Sequence, residues 1–125
     1  MIFDVAHNPM AFQALVKRLK QQFPEFRGNF VIGLSQDKDA RGCFEQILPV
    51  ADRIFLVDES TARPLLSVEA LSGHLDELQF FSYQRCPSIK AAISCAQLSP
   101  LPTVVCGSFY IMTEALRNDE LYPSC

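Results

Sequence analysis

The sequence predicts an α/β fold, a three-layer sandwich in which a mostly parallel sheet of five or six strands lies between helices. Three observations predict it. Short apolar runs alternate with amphipathic stretches from one end of the chain to the other, in the order β-α-β-α-β-α-β-α-β-α. The runs are apolar through their middles, as strands covered on both faces are. Helix-start residues follow the runs, and parallel strands require such crossover connections.

The elements follow in order. Met1 to Asp4 reads as the end of a buried strand. Asn8-Pro9 then opens a helix, because Asn caps free amides and Pro at the first helical position needs no donor. Ala11, Phe12, Leu15, Val16 and Leu19 keep the 3, 4, 7 spacing of one buried face, and Lys17, Arg18 and Lys20 place cations in the last turns. Pro24 ends the helix. Asn29 to Leu34 reads as the second strand, Ser35-Gln36-Asp37-Lys38-Asp39 as a polar loop, and Ala40 to Leu48 as the second helix. Asp52 to Asp58 is the third strand. A loop with Arg63-Pro64 leads to a helix capped near Ser67, with Val68, Leu71, Leu75 and Leu78 on one side. Gln79 to Tyr83 reads as a weaker fourth strand. Pro87-Ser88 opens a helix through Ala96, Leu98 to Pro102 is a rigid connector, and Thr103 to Cys106 is the fifth strand. Gly107-Ser108 reads as a tight turn and Phe109 to Arg117 as the last helix. Residues 1–125 thus form one Rossmann-like unit without repeat or linker.

Size and charge agree. The chain has 125 residues, 49% of them hydrophobic and 20% charged. A domain of that length buries about two-thirds of its unfolded surface and needs no staples. With 11 Lys and Arg against 14 Asp and Glu, the net charge is -3, which argues against a nucleic-acid partner. No apolar run reaches the ~18 residues of a spanning helix, and no signal peptide opens the chain, so a cytoplasmic protein without a membrane partner is expected. The cysteines at 43, 86, 95, 106 and 125 include no C-x-x-C pair, so no metal site is expected. Their odd number fits reduced, buried thiols.

In parallel sheets ligands bind beyond the carboxyl ends of strands. Three loops there carry chemistry: Asp4 to Pro9, Ser35 to Asp39, and Cys106 to Tyr110. Asp4 is placed to accept hydrogen bonds from vicinal hydroxyls, or else to cap a turn. His7 suits an anion contact or a proton transfer, or is merely a solvated loop residue. Lys38 is either a surface lysine in a salt-bridged loop or a point charge for phosphate or carboxylate, held by Asp37 or Asp39. Gly107-Ser108 fits a close backbone approach to a ligand. His74, inside a helix, reads as a surface or packing residue. Neither G-x-G-x-x-G nor a phosphate-binding G-x-x-x-x-G-K-[ST] is present, nor a G-x-S-x-G elbow.

Taken together and in order, these loops resemble the C-terminal domain of the folylpolyglutamate synthase/dihydrofolate synthase family, within the Mur ligase superfamily. The resemblance rests on Asp4, Ala6, His7, Asn8 and Pro9 of a D-x-A-H-N-P motif and on Ser35, Asp37, Lys38 and Asp39 of an S-x-D-K-D-like loop. Gly107, Ser108, Phe109 and Tyr110 complete it after the last strand. It covers nearly the whole chain.

The resemblance implies an ATP-dependent ligase that joins L-glutamate to dihydropteroate or folate through an acyl phosphate, with ATP and Mg²⁺ used by the full-length enzyme. It implies Asp4 as a contact to the ATP ribose, His7 as glutamate-binding or catalytic, and Ser108 as a contact to the incoming glutamate. Lys38 becomes a positive charge near the transferred phosphoryl group. The family's N-terminal ATPase domain, with its phosphate loop, metal ligands and folate pocket, is absent, as is a basic residue expected shortly before the first strand. A monomeric fragment, inactive alone and holding no cofactor alone, is therefore expected. The alternatives are another Mur-type amide ligase domain and a non-catalytic Rossmann-like binding module.

Overall fold

A computed structural model describes residues 1–59 and 64–107. Its described strands are β1 (Ile2–Asp4), β2 (Gly28–Gly33), β3 (Ala51–Leu56), β4 (Tyr83–Arg85) and β5 (Thr103–Gly107). They form one sheet in the order β1-β5-β2-β3-β4, and every pairing is parallel. The described helices are α1 (Pro9–Gln22), α2 (Ala40–Ile47), α3 (Val68–Glu77) and α4 (Ile89–Ala96).

Handedness explains the layers. The connections β1 to β2, β2 to β3 and β3 to β4 all advance across the sheet in one direction, whereas β4 to β5 runs back. Right-handed crossovers therefore place α1, α2 and α3 on one face and α4 on the other. Alternation along the strands matches this. Phe30, Ile32, Ile54, Leu56, Val104 and Cys106 join the core beneath α1 to α3, and Val31, Phe55 and Val105 join the core beneath α4. Each fully buried large side chain contributes on the order of 1.5–3 kcal/mol. The three layers are built from the pleat itself.

Each helix start has its cap. Asn8, Asp39, Ser67 and Ser88 accept from the backbone amides of Ala11, Gly42, Ala70 and Ala91. Phe12, Leu15, Val16 and Leu19 are the buried stripe of α1, as their spacing requires.

Several elements differ from expectation. β1 is a half-buried edge strand rather than a buried one, because only β5 flanks it. The fourth strand starts at Tyr83 and not at Gln79. Helix α3 ends at a cap on Leu78, and Gln79 turns left-handed with φ 60, which consumes residues that were expected in the strand. Phe80 instead packs against the core from a connecting segment. Gly107 is the last residue of β5 rather than part of a turn, and Ser108 and the expected helix from Phe109 lie outside the described residues. No described helix is long and apolar enough to cross a membrane.

Candidate functional site

The candidate residues lie at the carboxyl edge of the sheet, where β1, β5 and β2 end side by side. Asp4 is level with Cys106 of β5, which is level with Ile32 of β2, and Gly107 is level with Gly33. Gly107 has φ 122, and a Cβ there would collide with the carbonyl oxygen of Gly33. Only glycine lets the two strand ends approach this closely. The three loops singled out by their chemistry thus leave three adjacent strands.

Asp4 closes the first loop through both oxygens. Its Oδ1 accepts from the Ala6 amide at 2.8 Å, and its Oδ2 accepts from Arg18 Nη2 at 2.6 Å. The residue therefore is a turn cap, yet a carboxylate has acceptor sites for about four hydrogen bonds, and two remain. His7 Nδ1 lies 2.9 Å from the Val5 carbonyl. A carbonyl only accepts, so Nδ1 is the donor in this contact and Nε2 is the ring nitrogen left for a ligand. Asp4 and His7 line one cleft of about 310 Å³, bounded on its other side by Ala11, Ala14 and Arg18 of α1.

The second loop stands apart from that cleft. Lys38 Nζ is 3.7 Å from Asp37 Oδ2, a loose ion pair, while Asp39 is committed to the Gly42 amide at 2.9 Å. Of the two possible partners, Asp37 is the one that pairs with Lys38. Because β5 separates β1 from β2, the strand that carries Asp4 and the strand that leads to the Lys38 loop are two sheet spacings apart, roughly 9–10 Å. What joins their loops is the meeting of the α1 and α2 starts: a Cβ on Gly42 would lie 2.8 Å from Pro9 Cγ and against the Asp39 carboxylate. Gly42 and Arg18 were both missed as site residues. The signal for Arg18 was the Ala11, Ala14, Arg18 spacing, a second stripe on α1.

The remaining candidates are simply placed. Ser108 lies outside the described residues. His74 is half-buried in α3 with Nδ1 covered. Among the described cysteines, 43, 86 and 106 are buried and unpaired, and Cys95 is half-buried. Burial pushes the Cys43 thiol up to about 12, with Asp39 adding and Lys38 opposing, and pushes Cys86 up to about 11. Cys106 is driven well above the ordinary thiol range by burial. Such thiols are poor nucleophiles at neutral pH. Among the described residues no group of three or more His, Cys, Asp or Glu is placed to hold a metal ion.

Comparison with known proteins identifies the family and the fold. The dihydrofolate synthase/folylpolyglutamate synthase of Haemophilus influenzae is 30% identical over 124 residues, covering 91% of this chain and 27% of the relative. The protein of the same name from Escherichia coli is 31% identical over 117 residues, covering 94% and 27%. The chain thus spans about a quarter of the length of these curated relatives. The structure of E. coli FolC in complex with DHPP and ADP superimposes with a TM-score of 0.82 at 27% identity, covering 97% of this chain and 28% of that one. A Mycobacterium tuberculosis folylpolyglutamate synthase complexed with ADP and AMPPCP gives 0.78 at 25% identity, covering 98% and 29%. Residues 1–108 match the sequence profile described as "Mur ligase, glutamate ligase domain", and the chain belongs to that family.

Proposed function

We propose that this chain is the C-terminal, glutamate-ligase domain of a cytoplasmic, monomeric, ATP-dependent ligase that adds L-glutamate to dihydropteroate or folate. The observation that carries the reading is the cleft shared by Asp4 and His7, at an edge where the ends of β1, β5 and β2 converge. ATP would supply the phosphoryl group that turns a poor electrophile, a carboxylate, into one open to attack by the amino group of glutamate. Asp4 offers its two remaining acceptor sites to ribose hydroxyls. His7, held through Nδ1, offers Nε2 to take a proton from the incoming amine or, once protonated, to donate to the glutamate carboxylate. Lys38 supplies positive charge near the transferred phosphoryl group. Ser108, following Gly107, completes the set as a glutamate contact. Among the described residues no group of three or more His, Cys, Asp or Glu is placed to hold Mg²⁺.

Titrating the chain with ATP and with L-glutamate, followed by amide NMR shifts, tests the reading. Shifts clustered at residues 4, 7, 38 and 108 are expected, with weak affinity and no ligation by the chain alone. A folded sample with no response in these loops would favour a non-catalytic module. In the longer protein, turnover of a UDP-linked substrate in place of a pteroate would move the assignment to another Mur-type ligase.

A further inference from the structure

Helix α1 carries a second stripe along the edge of its core face. Phe12, Leu15, Val16 and Leu19 are buried, whereas Ala11, half-buried at the core's edge, and the exposed Ala14 and Arg18 recur at spacings of three and four and line the same cleft as Asp4. Two alanines keep that wall low. Arg18 reaches from it to the Asp4 carboxylate at 2.6 Å, although its own side chain is 58% exposed. Exposed ion pairs contribute little to stability, so the contact matters for what it does to the carboxylate. One oxygen is held from the loop side by the Ala6 amide and the other from the helix side by Arg18. The carboxylate plane is thereby fixed, and both oxygens keep an acceptor site. A fixed pair of acceptors suits two adjacent hydroxyls, because little ordering remains to be lost on binding.

We propose that Arg18 is a positioning residue that orients Asp4 for the vicinal hydroxyls of a ribose, and that Ala14 sets the room available to that sugar. The proposal rests on the reading of Asp4 as the nucleotide contact and goes beyond it by naming what makes that contact selective. Steady-state kinetics of the intact ligase with ATP, 2′-deoxy-ATP and 3′-deoxy-ATP tests it. Arg18→Gln is expected to raise KM for ATP about tenfold, the size of a lost charge-assisted contact, with kcat nearly unchanged. The same variant is expected to lose most of the preference for ATP over the deoxy analogues, and Arg18→Lys to recover part of it. Ala14→Leu should raise KM for all three nucleotides alike. If Arg18→Gln weakens all three by one common factor, or leaves the preference intact, its role is structural and the proposal falls. Asp4→Asn separates the two levels. If it keeps the full preference, the reading of Asp4 fails and takes Arg18 with it; if it loses the preference while Arg18→Gln keeps it, only the positioning role fails.

Discussion

Cys43 shows how a single buried group ties the site to stability. It sits in the first turn of α2, 1% exposed, between the core and the Lys38-Asp39 loop. Its thiol is pushed from 9.0 up to about 12 in the fold, chiefly by burial. The sign follows. Below about pH 9 the thiol is protonated in both states, and its contribution is fully present. Above that the unfolded chain releases the proton while the folded chain holds it, so stability falls as pH rises toward 12, by up to about 1.4 kcal/mol per pH unit. Urea midpoints measured in reductant across this window should fall less steeply for Cys43→Ala than for the parent chain. An unchanged slope would show that Cys43 does not bear the shift. The half-buried Cys95 was not separable from its buried counterparts by sequence, since burial of a thiol depends on which elements cover it.

At the scale of elements, two helix glycines have opposite meanings. Gly73, inside α3, has nothing within 4 Å of where a Cβ would stand. Gly73→Ala should therefore stabilise the chain by roughly 0.5–1 kcal/mol through helix propensity. Gly42, in the first turn of α2, is hemmed in by Pro9 and by its own capping residue Asp39. Gly42→Ala must displace one of them, and loss of the cap alone costs about 1 kcal/mol. Thermal melts of the two variants should move in opposite directions, and a Gly42→Ala melt as high as that of Gly73→Ala would refute the close contact. This contrast marks the limit of the sequence reading. Caps at Asn8, Ser67 and Ser88 were legible because they are local chemistry. The start of β4 was not, because a left-handed Gln79 overrode the strand preference of Phe80 and Phe81. Neither was the part of the Gly42 constraint that comes from Pro9, at the start of a different helix.

For the whole molecule, the controlling fact is that three loops distant in sequence leave three neighbouring strands. Gly107 holds two of those strands together. Gly107→Ala would place a methyl group against the Gly33 carbonyl and force φ 122 on a residue that avoids it. The expected outcome is a loss of several kcal/mol, or failure to fold, seen as a collapsed urea midpoint. A midpoint within error of the parent chain would contradict the register of β2 against β5. The alternation of elements foretold a layered parallel sheet, and the structure agrees. The strand order lies outside what alternation encodes, since any neighbour of β2 could have been β1 or β5 on pattern alone.

That order has a consequence for affinity. The strand bearing Asp4 is half-buried and bonded to one neighbour, whereas the strand leading to Lys38 is buried throughout and bonded to two. The two halves of the candidate site therefore differ in local stability, the first fraying at smaller cost than the second. A ligand that grips both must hold the frayed end in place. Its observed dissociation constant then carries the closed fraction of β1 as a divisor, and whatever pins that edge sharpens binding without touching the ligand.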